Sequence, residues 1–242
     1  MLVWLASFPR SGNTFVRILL KNLYGQESRS LYRDDPASVF PHKDNPCQCC
    51  DLNRSLDELR NSPQLHFVKT HELPDDDSPA ILLVRDGRDA MVSYAHFIQD
   101  YGVIERSPIG EFVAELKARG EETLLGRGRF EQVLRRVIER RYVDWSAIFQ
   151  QWSTRRAPSV QLRFEDLIAQ PVMSVEKSLA SLGIALSRAE SAVPSFAELH
   201  ASDPKFFRAG RTGQWRNEMN AETEELFWRE HGAAMRHAGY RR

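Results

Sequence analysis

Residues 2–8, Leu-Val-Trp-Leu-Ala-Ser-Phe, form a short apolar run that stops at Pro9, as a buried strand does. Arg10 to Thr14 are polar and small, and apolar side chains then recur at helical spacing from Thr14 to Tyr24 (Phe15, Ile18, Leu19, Leu23). Strand, polar turn, helix is the opening of a phosphate-binding βα unit, because the turn aims the N–H groups of a helix N-terminus at an anion. The segment Ser7-Phe8-Pro9-Arg10-Ser11-Gly12-Asn13-Thr14 fits the frame of the nucleotide-triphosphate loop, with Gly12 and Thr14 in place. Ser7 stands where the first glycine belongs and Asn13 where the lysine belongs, so the charge that neutralises β- and γ-phosphates is missing. Two readings stay open on these residues alone. One is a glycine-poor anion cradle, the other a plain strand–helix turn capped by Thr14.

The rest of the chain repeats the alternation. Further strands are expected at His66 to Thr70, at Ala80 to Arg85, whose AILLVR is continuously apolar like a central parallel strand, and at Ser159 to Phe164. Helical patterns cover Arg88 to about Gln99, much of Ile109 to Gln151, Val172 to Leu182 and Ala221 to His237. Gly25 to Pro63 is polar and rich in turn formers, with a short helix expected near Leu56 to Arg60. Strands alternating with helices imply an α/β fold: a mostly parallel central sheet with helices on both faces. The whole of 1–242 reads as one domain, and its length suffices for a sizeable core.

Lys plus Arg and Asp plus Glu both total 33. That balance argues against a nucleic-acid binder, though not against a local basic pocket for a small anion. No stretch is long and apolar enough to span a bilayer, and the N-terminus lacks the basic and apolar regions of a signal peptide, so a cytoplasmic protein is expected. Cys47, Cys49 and Cys50, with His42 nearby, do not have the spacing of paired zinc ligands, and an unligated loop of reduced thiols is the expectation.

Three further segments carry chemistry. Arg85 closes a strand, where it can fork onto a phosphate, and Ser93 on the following helix can add a hydroxyl donor. The alternative for Arg85-Asp86 and Arg88-Asp89 is a solvated, ion-paired helix start. Lys69-Thr70-His71 ends another strand, and a histidine there suits a general base, since its ordinary pKa of about 6.5 leaves it largely neutral at cellular pH. Glu72 competes for that role, but neighbours on a strand face opposite ways, so only one of the two can look into a site. Asp203 to Asn217 is a polar loop with arginines at 208, 211 and 216.

Taken in order, these segments resemble the sulfotransferases that use 3′-phosphoadenosine 5′-phosphosulfate (PAPS). FPRSGNTF is similar to that family's 5′-phosphosulfate loop, which reads like YPKSGTTW. Arg85 with Ser93 is similar to its 3′-phosphate segment, and Lys69-Thr70-His71 to its Lys-Thr-His. FFRAGRTGQWRN resembles its FMRKGxxGDWKN, with Ala209 in place of the lysine and Arg211 as the candidate substitute. Phe164 in Arg163-Phe164-Glu165-Asp166 and Phe196 in Pro194-Ser195-Phe196 match two aromatics that lie on the adenine, although core packing is the competing reading for each.

The resemblance implies a three-layer α/β/α, P-loop-like fold with the donor at the sheet's carboxyl edge. It implies that His71 is the base and that Lys69 and Arg10 stabilise charge on the transferring sulfuryl. Arg10, Ser11, Gly12, Asn13, Thr14 and Phe15 would hold the 5′ end. Arg85, Ser93, Phe207, Arg208, Ala209 and Gly210 would hold the 3′-phosphate side, and Phe164 and Phe196 the base. It also implies metal-independent transfer to a small-molecule hydroxyl or amine, with adenosine 3′,5′-bisphosphate (PAP) as product. A nucleotide-dependent kinase and a non-catalytic nucleotide-binding protein are the alternatives. Acceptor-side segments are expected at about 25–63 and 100–140. The family's dimer motif, Lys-x₃-Thr-Val-x₃-Glu, meets Arg216, Asn220, Ala221 and Glu225 here, so only the glutamate is retained and the oligomeric state stays open.

Overall fold

The computed structural model describes residues 1–31, 55–101, 118, 130–139, 144–189, 192–204 and 206–242. Its core is a five-stranded sheet of β1 (Leu2–Ser7), β2 (Ser28–Ser30), β3 (His66–Thr70), β4 (Ala80–Val84) and β5 (Ser159–Arg163) in the order β2-β3-β1-β4-β5. Every pairing is parallel, with Leu5 opposite both Lys69 and Ile81. Around it lie α1 (Asn13–Tyr24), α2 (Leu56–Arg60), α3 (Gly87–Tyr101), α4 (Phe130–Glu139), α5 (Trp145–Ser153), α6 (Phe164–Ala169), α7 (Pro171–Ser181), α8 (Phe196–Ser202), α9 (Trp215–Glu218) and α10 (Ala221–His237).

The strand period of two divides the core. Leu2, Trp4 and Ala6 of β1 point to a face covered by α3, α4, α5 and α10, where Trp145, Trp152 and Phe227 are buried. Val3 and Leu5 point to the other face, covered by α1 and α7 through Val16, Leu19, Val175 and Leu179. A strand buried on both faces must be apolar throughout, which is why β1 and β4 read as continuous apolar runs. One lateral anchor is polar: Asp76 accepts from the Trp4 indole N–H at 2.9 Å and from Arg60 at 2.6 Å.

The chain departs from the expected elements in four places. β2 lies in the stretch expected to hold only one short helix; it is Ser-Arg-Ser and carries no apolar signal. Phe164 is not the end of β5 but the first residue of α6, whose first turn carries Glu165 and Asp166, as a helix N-terminus favours. α8 starts inside a capping box between Ser195 and Glu198, and α9 breaks the expected C-terminal loop. Thr14 does not cap α1: the cap is Gly12 in a left-handed conformation (φ 97°), with no side-chain cap bond. The cysteine cluster, His42 and most of the two acceptor-side segments lie outside the described residues. No helix among the described residues is long and apolar enough to cross a membrane.

Candidate active site

Because β1 sits between β3 and β4, the chain leaves its carboxyl end in opposite directions, and a crevice opens there. The loop from Phe8 to Gly12 fills that switch point. Arg10 has a positive φ of 67°, unusual for a residue with a Cβ, and Gly12 follows at 97°. A Cβ on Gly12 would sit 2.8 Å from the ring of Phe164. The loop is thereby pressed onto α6, with Ser11 almost fully buried. Asn13, in the position of the usual loop lysine, turns inward: its amide donates to the Leu5 carbonyl at 2.8 Å and to Ser7 Oγ at 3.2 Å. It therefore fastens α1 to β1 and offers an anion only its backbone N–H, whereas Thr14 after it carries a hydroxyl donor as well.

Arg85 follows β4 and lies under this loop. One terminal nitrogen donates to the Arg10 carbonyl at 2.9 Å, and the guanidinium carbon stands 4.2 Å from the centre of the Phe164 ring. Burial pushes this guanidinium below its ordinary pKa, opposed by the charges of Asp89 and Glu165. Phe164 is buried between Arg85 and Gly12, so it is a wall of the phosphate loop as well as a core residue. Arg10 turns toward α3: its Nε donates to Ser93 Oγ at 3.3 Å, a terminal nitrogen donates to the Phe206 carbonyl, and the rings of Phe97 and Phe206 flank it. These contacts group Arg10 with Ser93 and the C-terminal loop.

His71 stands in the bend after β3, which ends at Thr70. The strand alternation expected to separate His71 from Glu72 therefore does not reach them. They part for another reason: Thr70 Oγ1 bonds both the N–H (3.0 Å) and the carbonyl (2.9 Å) of Glu72, which leaves Glu72 exposed, while His71 is half-buried. His71 Nδ1 lies 2.6 Å from the Ser7 carbonyl, an acceptor only, so Nδ1 carries the proton and the lone pair of the neutral ring is on Nε2. Lys69 sits half-buried in β3, beside Leu5 of β1.

The C-terminal loop forms the third wall. Phe196, His200, Arg208, Ala209, Arg211 and Gln214 line a cleft of about 320 Å³. Gly210 packs so closely on Phe196 that a Cβ would come within 2.3 Å of the ring. Phe207 lies edge-on to Phe206 and packs with Ile18 and Leu199. The loop is held from below by Asp89, 1% exposed, which accepts from the N–H groups of Gly213 (2.6 Å) and Trp215 (3.0 Å). Asp86 and Arg88 are likewise buried: Asp86 takes Arg88 through both oxygens, and Arg88 lies 3.8 Å from the Trp215 ring centre. The alternative of a solvated helix start is thus overturned; this polar knot joins α3 to the C-terminal loop.

Among the eight buried side-chain polar atoms without a hydrogen-bond partner in the described residues are Ser11 Oγ and Arg85 Nε. Such groups are costly to leave unpaired, and these two belong to the loop and to the arginine beneath it. An anionic nucleotide fits that donor set.

The chain matches the sulfotransferase domain family over residues 2–238. It belongs to the sulfotransferase family. At the level of sequence it is 22% identical to cytosolic sulfotransferase 1 of Danio rerio across 93% of this chain and 79% of that protein. It is 23% identical to flavonol 3-sulfotransferase of Flaveria bidentis, across 92% and 78%. Among solved structures it resembles a mouse sulfotransferase complexed with PAP, with a TM-score of 0.61, 19% identity and coverage of 99% of this chain and 89% of that one. It also resembles a retinol dehydratase in complex with androsterone and PAP, with a TM-score of 0.57, 18% identity and coverage of 97% and 80%. The sulfotransferase fold expected from the sequence is therefore the one found, and sulfuryl transfer from PAPS is the activity that goes with the family. The kinase alternative is not favoured.

Sequence reasoning missed the residues that support this sulfotransferase site without facing it: Asp89, Glu165, His96 and Glu218. Their partners are distant in sequence, 122 positions for His96 and Glu218 and 126 for Asp89 and Trp215, and no local pattern marks such pairs.

Proposed function

We propose that this sulfotransferase moves the sulfuryl group of PAPS to a small-molecule hydroxyl or amine without a metal, with His71 as general base. The observation that carries the reading is the bond from His71 to the Ser7 carbonyl, which puts the proton of the neutral ring on Nδ1, its lone pair on Nε2, and the imidazole beside the phosphate loop. His71 Nε2 takes the acceptor's proton as the acceptor oxygen or nitrogen bonds to sulfur. When bound, the donor supplies the sulfuryl group and departs as PAP.

The loop amides of Ser11 to Thr14 hold the 5′ end, with Phe15 behind them. Lys69 neutralises charge near the reacting end. Arg85, Ser93 and Arg208 grip the 3′-phosphate, with Phe207, Ala209 and Gly210 shaping that wall and Phe164 and Phe196 flanking the base. Arg10 serves both ends: its backbone belongs to the loop and its side chain reaches Ser93. We read the chain as one domain with the acceptor side at about 25–63 and 100–140. A cytoplasmic location accords with the name of the zebrafish relative.

Isothermal titration of the full chain with PAP and with AMP tests the donor, and a turnover assay with labelled PAPS against a panel of phenols, alcohols and amines tests the transfer. PAP is expected to bind at least a hundredfold tighter than AMP, since charge-assisted bonds to a phosphate contribute about 1.5–3 kcal/mol each. Equal affinities would remove the basis of the donor assignment.

A further inference from the structure

Glu218, the last residue of α9, joins three parts of the molecule. Its Oε1 accepts from Arg208 at 2.9 Å, and its Oε2 is hydrogen-bonded to Nε2 of His96 on α3. His96 is itself stacked on Phe130 of α4, the ring centres 4.3 Å apart. The carboxylate is 20% exposed, and so are 27% of Arg208 and 26% of His96, so the three groups interact where water screens them only in part. Burial alone would push Glu218 upward; the hydrogen bond from His96 and the charge of Arg208 outweigh it and hold the carboxyl below its usual range. Glu218 is therefore ionised at neutral pH and holds Arg208 as an ion pair.

The anchor beneath this pair is tied to α3. α9 begins at Trp215, whose N–H is bound by Asp89 of α3, and His96 lies on the same helix two turns on. Arg208 has five N–H donors in a rigid fork, and one contact to Glu218 leaves the others for a second anion. A guanidinium on a loop would otherwise spend much of its time in rotamers that do not face the cleft. Arg208 lines the cleft, and its charge is close enough to Arg85 to act on it, so the two predicted phosphate ligands lie near one another.

We propose that Glu218 is a positioning residue for donor recognition: it aims Arg208 at the 3′-phosphate, and His96 keeps Glu218 in place. The inference rests on the assignment of Arg208 to the 3′-phosphate.

The test is the ratio of AMP to PAP dissociation constants, measured by isothermal titration on the full chain, because Arg208 acts on the 3′-phosphate that AMP lacks. Glu218→Gln keeps the shape and removes the charge. It is expected to lower the ratio about tenfold while the AMP constant stays within twofold of the unmodified protein. Arg208→Ala is expected to lower the ratio further, and the double variant to match Arg208→Ala alone, because Glu218 acts only through that arginine. An unchanged or larger ratio in Glu218→Gln would mean that the carboxylate competes with the phosphate, and losses that add in the double variant would mean that it acts elsewhere; either overturns the proposal. If Glu218→Gln does not fold, Glu218→Asp is read in the same way: a shortened reach must lower the ratio, and an unchanged ratio overturns the idea. A ratio near one in the unmodified protein would instead strike down the donor assignment itself.

Discussion

The imidazole of His71 donates its Nδ1 proton to the main-chain carbonyl of Ser7, 2.6 Å away, so the base proposed for the reaction is held by the strand that leads into the phosphate loop. One backbone oxygen thus fixes both the tautomer and the direction of the ring. His71→Ala should lower kcat by about 10²–10⁴, the usual contribution of a positioned base, and leave the PAP dissociation constant within twofold. Steady-state rates and titration on the same preparation decide it. Unchanged turnover in a folded variant would clear His71 of the role, and loss of PAP binding would move it to the donor side.

Gly12 is expected to tolerate no side chain. Its φ of 97° is strained for any residue with a Cβ, and that atom would stand 2.8 Å from Phe164. Gly12→Ala should cost about 1–3 kcal/mol in chemical denaturation and weaken PAP binding at least tenfold, because the loop must rise from α6. Gly25→Ala is the control: its Cβ meets nothing within 4 Å, so it carries the left-handed strain alone and should leave PAP affinity unchanged.

The carboxyl of Asp76 gives a stability that depends on pH. Burial pushes it upward, but hydrogen bonds from Trp4, Ser78 and Arg60 hold it below the ordinary range. A group whose folded pKa is depressed contributes stability that is present above its unfolded pKa, about 3.9, and is lost as pH falls through the folded value. Asp76→Asn should cost about 2–3 kcal/mol at pH 7, and the gap to the unmodified protein should narrow steadily below about pH 4. A gap that is constant from pH 7 to pH 3 would show that the charge on Asp76 contributes nothing.

Transfer should survive chelation. Lys69, Arg85 and Arg208 are the basic side chains proposed to meet the donor's charge, so no metal is called on for it. Activity measured in excess EDTA should match the untreated rate. A loss that Mg²⁺ restores would return the kinase alternative to consideration.

How far the sequence discloses this molecule depends on the kind of residue. β1 and β4 are plain because burial on both faces admits only apolar side chains, whereas β2, three residues at the sheet's edge, leaves no such trace. Phe164 looks like the end of a strand because the apolar rhythm of β5 runs into it; the two acids that follow are what turn the chain into α6. Within the site, the residues expected to touch the donor lie in short contiguous segments, and a motif preserves them. Asn13 keeps its place in the motif but turns its amide to Leu5, a direction that no motif specifies. Glu218 has no meaning until the chain is folded, because the arginine and histidine it joins come from a loop and from a helix far earlier in the sequence.

The grip of Asp89 on Gly213 and Trp215 also bears on how the protein is made. The phosphate loop is complete by residue 14, yet the Phe206 carbonyl that its Arg10 side chain bonds lies 196 residues further along. A chain that stops short of that stretch leaves the Asp89 carboxylate without the two amides that satisfy it in the folded molecule. Nucleotide binding should therefore fail in a chain truncated before residue 206, which would hold the loop without the pocket.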